Sequence, residues 1–224
     1  RRSSDLRDFK SMEGAIDQLL RLEPGNEKAA EYKLLVLTGK PEAQQKFALG
    51  FLEANPRANE FRMLFARHLL RESRNQQAIE QLDSLLKYDT QNSDAIGLLG
   101  LLYQSEGNYD KAAETFRRQI KLQPEDDRTR MYLASALQAA GRYDESMSEL
   151  ALIRSGEELL NAQRQMALLI EQTEGADAAL AYLEALKGQD QNEDAQLLIE
   201  RELMLKRAGR DADAMRLLND AVKR

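Results

Sequence analysis

Small and aromatic residues recur 34 positions apart through the middle of this chain. Ala66, Gly100 and Ala134 form one such set, and Ala78, Ala112 and Ser146 another. Leu82, Phe116 and Leu150 form a third; Ser73, Gly107 and Gly141 form a fourth. A fixed period of this length marks a helical unit that cannot bury its apolar face alone and must stack on neighbouring copies. Such arrays present extended surfaces to other proteins, so the period constrains function as well as fold.

The clearest unit is 93–126. Ile96, Leu99, Gly100 and Tyr103 fall at helical spacing, Gly107-Asn108-Tyr109 makes a turn, and Ala112, Phe116 and Ile120 continue on a second helix that Pro124 ends. Apolar residues three and four apart give each helix one buried stripe. Gly100 and Ala112 are small where paired helices would cross. The unit 59–92 repeats the plan with Arg62, Phe65, Ala66, Leu69, Ala78, Leu82 and Leu85, and 127–156 with Leu133, Ala134, Leu137, Gly141, Tyr143, Ser146 and Leu150. The latter closes early, through Ile153-Arg154-Ser155-Gly156. Two looser pairs follow, 160–190 and 195–224, and a slightly short unit, 27–58, precedes. Residues 5–24 read as half a unit, a second helix without its partner.

The pattern Leu99-Gly100-x-x-Tyr103, Gly107-x-Tyr109-x-x-Ala112-x-x-x-Phe116 and Pro124 resembles a tetratricopeptide repeat, lacking only the aromatic usual at Ile96. The resemblance implies an all-α, right-handed superhelical solenoid of antiparallel helix pairs: thirteen helices, six pairs plus one unpaired N-terminal helix, in a single array over 1–224. Asn26, Asn59 and Ser93 occupy N-cap positions, each followed by an acidic residue suited to the positive helix end. Glu125-Asp126-Asp127 reads as an acidic first turn and not a metal site.

Composition narrows the function. A net charge of −6 with interspersed signs argues against a nucleic-acid partner. No run of 18 or so apolar residues is present, so this segment does not insert in a membrane. With no cysteine, disulfides and thiolate metal sites are excluded. The one histidine, His68, reads as a surface residue. Paired acids such as Glu157-Glu158 and Asp211 with Asp213 read as solvated caps. Neither an enzyme nor a cofactor is expected. The start at Arg1-Arg2-Ser3-Ser4 and the apolar finish of Leu217, Leu218, Ala221 and Val222 suggest a segment of a longer protein, with uncapped ends through which copies could self-associate.

A tetratricopeptide reading places a partner-binding groove on the first helices. Its inward positions give Met63, Arg67, Leu70 and Arg71, then Leu101 and Gln104, then Met131, Ser135 and Gln138. Arg164 and Leu168 follow, and the last unit gives Leu203 and Arg207. Met63, Leu101, Met131, Leu168 and Leu203 form an apolar seam that either receives a protein or peptide partner or is buried by tight curvature. Arg67, Arg71, Arg164 and Arg207 either meet acidic groups on that partner or pair with Glu60 and Glu171. Met63, Arg67, Gly97 and Leu101 do not match the Lys and Asn of chaperone-tail receptors. In the last unit Arg201 and Glu202 stand where Leu99 and Gly100 stand in the clearest one, which calls for an internal ion pair or a bend.

A narrower resemblance concerns two stretches. Asn59-Glu60-Phe61-Arg62-Met63-Leu64-Phe65-Ala66-Arg67-His68-Leu69-Leu70 is similar to the "R-L-x-Y-A-R-x-L" helix of large proteobacterial tetratricopeptide lipoproteins, with Phe65 in place of the Tyr. Residues 155–164 resemble a linker of the same group. That likeness implies a periplasmic, outer-membrane-anchored adaptor for a processing protease, although no lipid-accepting Cys is visible. The alternatives are a cytoplasmic or secretion-system scaffold and a self-oligomerising module.

Overall fold

Turns keep the period more faithfully than helices do. Gly39, Ser73, Gly107, Gly141, Gly175 and Gly209 all have positive φ, between 58° and 97°, and follow one another at 34-residue intervals. In a computed structural model that describes residues 2–188 and 190–222, with side chains from Ser11 onward, these turns separate the two helices of six successive pairs. Gly107 donates to the carbonyl of Gln104 (3.1 Å) and Asn108 to that of Tyr103 (2.8 Å); the same arrangement recurs at Ser73, Gly141 and Gly209. This is the left-handed helix stop, in which two orphan carbonyls find donors and glycine avoids the Cβ clash.

Thirteen α-helices and no strand occur among the described residues. They are α1 (Arg2–Leu22), α2 (Glu27–Val36), α3 (Pro41–Ala54), α4 (Asn59–Arg71), α5 (Asn75–Leu86), α6 (Ser93–Ser105) and α7 (Tyr109–Leu122). The remainder are α8 (Asp127–Ala139), α9 (Tyr143–Leu150), α10 (Leu159–Glu174), α11 (Ala176–Ala185), α12 (Gln191–Arg207) and α13 (Asp211–Val222). The all-helical plan of stacked pairs is as the sequence implies. Arg1, Lys223 and Arg224 lie outside the described residues.

The looser spacing expected of the last two pairs belongs to their helix starts alone. First helices lengthen along the chain, from 10 residues in α2 to 13 in α4, α6 and α8, then 16 and 17 in α10 and α12. The second helices α9 and α11, just before the two longest first helices, have only 8 and 10 residues against 14 in α7, so the turns stay in phase.

The chain divides into two compact units, Arg1–Leu102 and Tyr103–Arg224, with the division inside α6. In the first, α1 packs on α2, burying Ile16, and Lys33 reaches back to Glu13 and Asp17, both at 2.9 Å. Burial works against the Lys33 charge, but hydrogen bonds to those two carboxylates prevail and raise its pKa. Phe51 and Phe61 meet edge to face at 4.8 Å between centroids, with Phe47 at 6.2 Å from each. Gln44 is buried where the other second helices carry Ala78 and Ala112, and its amide donates to the carbonyl of Leu34 (2.9 Å).

In the second unit the core is a succession of layers, each joining helices of adjacent pairs. Ala112, Ala113 and Phe116 of α7 pack with Leu133, Ala136 and Leu137 of α8. Ala134 and Leu150 pack with Ile153, Ala162 and Leu169, and Ala167 with Leu183, Met204, Leu205 and Ala214. Each layer is apolar and fully dehydrated, the source of most of the stability of such a stack. Ser146 fits at a crossing because its hydroxyl donates to the Ala134 carbonyl (2.7 Å).

Several local expectations are corrected. Asn26 caps α2 as read, accepting from the amide of Ala29 (2.8 Å). Asn59 caps nothing: α4 starts there, and its Phe61 amide donates to Glu27 of the preceding pair (2.7 Å). The cap of α6 is Asn92, not Ser93, through the Ala95 amide (3.0 Å). Asp126 of the acidic run caps α8 through Thr129. His68 is half-buried, stacked on Phe65 and 3.3 Å from Glu72, and so is not the surface residue expected. Glu202, 8% exposed, pairs with Lys206 one turn along its own helix. Arg201 instead donates to the carbonyls of Leu183 (3.0 Å) and Leu186 (3.3 Å), tying down the end of α11.

Two arginines directly after turn glycines bind adjacent second helices. Arg142 donates to Glu145 (2.7 Å) and pairs with Asp110 of α7 (3.2 Å); Arg210 donates to Asp213 (2.7 Å) and pairs with Asp177 of α11 (2.9 Å). Arg216 holds Asp213 as well. Asp213 is therefore an ion-pair centre and not a solvated cap.

Candidate functional site

A cleft opens between two first helices of the second unit. Lengthening α10 and α12 to 16 and 17 residues sets two long helices side by side, and between them lies a cleft of about 540 Å³. Its walls are Ala167 and Leu168 of α10 and Ile199, Leu203 and Met204 of α12, with Leu183 of α11 contributing from the second helix. Ile199 is 52% and Leu203 46% exposed, unusual for branched apolar residues four places apart on a stable helix. Exposed apolar surface of this kind, edged by charge, marks a contact site.

The edges are two ion pairs. Arg164 and Glu200 approach to 2.7 Å, as do Arg207 and Glu171. In each pair the carboxylate is the more buried partner, and the arginine side chain is about half exposed. A guanidinium held by one carboxylate keeps further donors for an incoming carboxylate or backbone carbonyl. The cleft can thus grip an apolar side chain and fix the polar backbone on either side. It contains no nucleophile–base pair and, among the described residues, no group of acids and histidines that could hold a metal.

The remaining expected groove residues are distributed differently. In the second unit Met131 is half-buried against the Ala134 layer, so burial explains it better than exposure. Leu168 is half-buried as well. Polar positions connect successive first helices: Gln104 donates to Ser135 (3.2 Å), and Gln165 to Gln138 (3.1 Å). In the first unit Met63 and Leu70 are half-buried, while Arg67, Arg71 and Leu101 are exposed. Arg67 pairs with Asp94 (3.4 Å) and not with Glu60, because Asp94 opens the next first helix and faces it directly. The apolar seam is therefore partly core and partly surface.

Glu200 and Leu183 were not legible as site residues. The Arg164–Glu200 pair spans 36 residues, two beyond the period, so repeat position does not align the two. Leu183 comes from the helix assigned to the outer wall.

The geometry has counterparts in known proteins. Residues 76–151, about a third of the chain, match the family model of anaphase-promoting complex, cyclosome, subunit 3. A solved structure of Naa15/Naa10 bound to HypK-THB is similar over 98% of this chain at 18% identity, with a TM-score of 0.69. This chain spans only 35% of the length of that one. YrrB, described as a TPR protein with an unusual peptide-binding site, is similar over 79% of this chain and 91% of its own, at 18% identity and TM-score 0.54. A tetratricopeptide repeat protein from Parabacteroides merdae is similar over 98% of this chain and 88% of its own, at 18% identity and TM-score 0.52. No curated protein matches the chain. These likenesses establish the fold as that of tetratricopeptide repeats.

Proposed function

We propose that the chain is a non-catalytic scaffold that holds a protein or extended peptide against its first helices, with the α10–α12 cleft as the principal contact. The observation that carries this reading is the exposed Ile199–Leu203 pair set between two arginine-topped ion pairs. A helix that spends apolar surface on water gains from a partner that covers it. A photo-crosslinking amino acid at Ile199, in the full chain within its source cells, tests it. The crosslinked protein should disappear when Leu203→Glu is added, with the circular dichroism spectrum unchanged. Equal crosslinking of the same protein from Glu184, outside the cleft, would place the contact elsewhere.

Within that class, the narrower reading is an adaptor for a processing protease on the periplasmic side of an outer membrane. It rests on the likeness of residues 59–70 and 155–164 to lipoprotein segments. A protease or its substrate among the crosslinked partners supports it, and cytoplasmic partners alone refute it. Self-association is the competing use of exposed surface such as Met215 and Val222, and light scattering at rising concentration separates the two.

A further inference from the structure

A gap opens where one second helix ends early. α9 stops at Leu150 after 8 residues, whereas α5 and α7 run for 12 and 14. The missing length is roughly 6–9 Å of helix. In its place residues 151–158 pass without a helix, and Leu152 is left exposed. Behind them lies a cavity of about 420 Å³, walled by Leu150, Ile153, Leu159, Ala162, Met166 and Tyr182. On α10 these residues form a stripe separate from Arg164, Ala167 and Leu168 of the other cleft.

The charges at this gap differ from those around it. Arg128, Arg130, Arg142 and Arg164 all have carboxylate partners. Arg154 and Lys187 also line the cavity; both are exposed, and neither has an ion-pair partner among the described residues. On a chain of net charge −6, two unpaired cations at one apolar opening set its preference. The Tyr182 hydroxyl, half-buried and without a hydrogen-bond partner among the described residues, adds a donor to the wall. Burial raises its pKa above the ordinary tyrosine value.

We propose that the gap beside α9 is a second docking site, taking a partner segment in which an aromatic or branched apolar side chain is flanked by acidic residues. The apolar anchor fills the space the missing helical turns leave, and the carboxylates meet Arg154 and Lys187. A phage-displayed library of random dodecapeptides, selected on the immobilised full chain, tests this. Counter-selection uses Ala151→Trp, which fills the opening from an exposed position outside any helix. Enriched peptides should carry an apolar anchor with Asp or Glu within a few residues. Their affinity should fall about tenfold or more in Arg154→Glu/Lys187→Glu, the scale of lost charge-assisted contacts. It should be unchanged in Leu203→Glu, which alters the other cleft. Absence of enrichment over the counter-selection, enrichment of peptides lacking acids, or indifference to the charge reversal overturns the proposal.

Discussion

Arg62 and Arg130, two repeats apart, are held in the same way. Each reaches back to the carbonyl of a proline six residues upstream, Pro56 at 3.1 Å and Pro124 at 2.8 Å. Each also donates to an acceptor nineteen residues on, Gln81 at 3.0 Å and Glu149 at 3.2 Å. Between them the equivalent residue is Ile96, fully buried. One position thus accommodates either an apolar side chain or a guanidinium that ties the preceding loop to the second helix. Burial lowers the pKa of Arg62.

Arg62→Ala should therefore destabilise by about 2–3 kcal/mol, since Gln81 and the Pro56 carbonyl lose a charged donor. Arg62→Met combined with Gln81→Leu should recover most of that, because replacing both leaves no buried side-chain polar group of the pair, and exposed Pro56 can turn its carbonyl to water. Urea titration followed by circular dichroism measures both. A double variant no better than Arg62→Ala would mean that packing, and not polar pairing, governs the position.

Ser73 is the non-glycine exception among the six in-phase turns, at φ 58°. Left-handed backbone costs a residue with a Cβ about 1–2 kcal/mol, and glycine gives back part of this in unfolded-state entropy. Ser73→Gly should raise stability by about 0.5–1 kcal/mol, and Gly141→Ala should lower it by a similar amount or more. Thermal melts of the two variants should move in opposite directions; a lower midpoint for Ser73→Gly would contradict the assignment of the turn.

Glu27 caps a helix one repeat away. Its carboxylate accepts from the Phe61 amide at 2.7 Å, at the positive end of α4. Glu27→Ala should cost about 1 kcal/mol, and amide exchange at Phe61 should quicken more than at residues in the middle of α4. Uniform acceleration across the helix would instead indicate global destabilisation.

The turn arginines predict an acid limit. Hydrogen bonds from Arg142 hold Glu145 below its ordinary value, and those from Arg210 and Arg216 do the same for Asp213. A depressed carboxylate pKa contributes stability above the unfolded value and loses it as pH falls through the folded one. The melting temperature should be level from about pH 7 to pH 5 and fall below about pH 4.5. Arg142→Met with Arg210→Met should flatten that fall, as should high salt, since neither carboxylate is buried. An acid limb of unchanged steepness in the variant would assign it to other carboxylates.

How much could be read in advance followed from how local each signal is. Gly107 and Gly141 announce their turns because the backbone there nearly requires glycine, and apolar spacing then supplies both helices. Caps were harder. Asn92 and Ser93 are adjacent and both favoured as N-caps, and only the fold chooses between them. Asn59 lost its role to Glu27, a partner brought close by stacking. The same limit applies to the cleft. Repeat position singled out Arg164, Leu168, Leu203 and Arg207, which do line one cleft, whereas Glu200 meets Arg164 at an offset two residues beyond the period. Met131 followed the repeat rule yet packs inward, because neighbouring layers decide burial.

Constant turn phase combined with variable helix length has a consequence for how the chain can change. Joining Gly107 directly to Arg142 deletes one full period, yet it puts a second helix behind a turn of the same geometry. Growth or loss by whole modules therefore preserves hairpin geometry at the splice, while shorter insertions are absorbed within helices or at junctions such as 151–158. The lineage of such a molecule can lengthen or trim its reach toward a partner without redesigning how each hairpin closes.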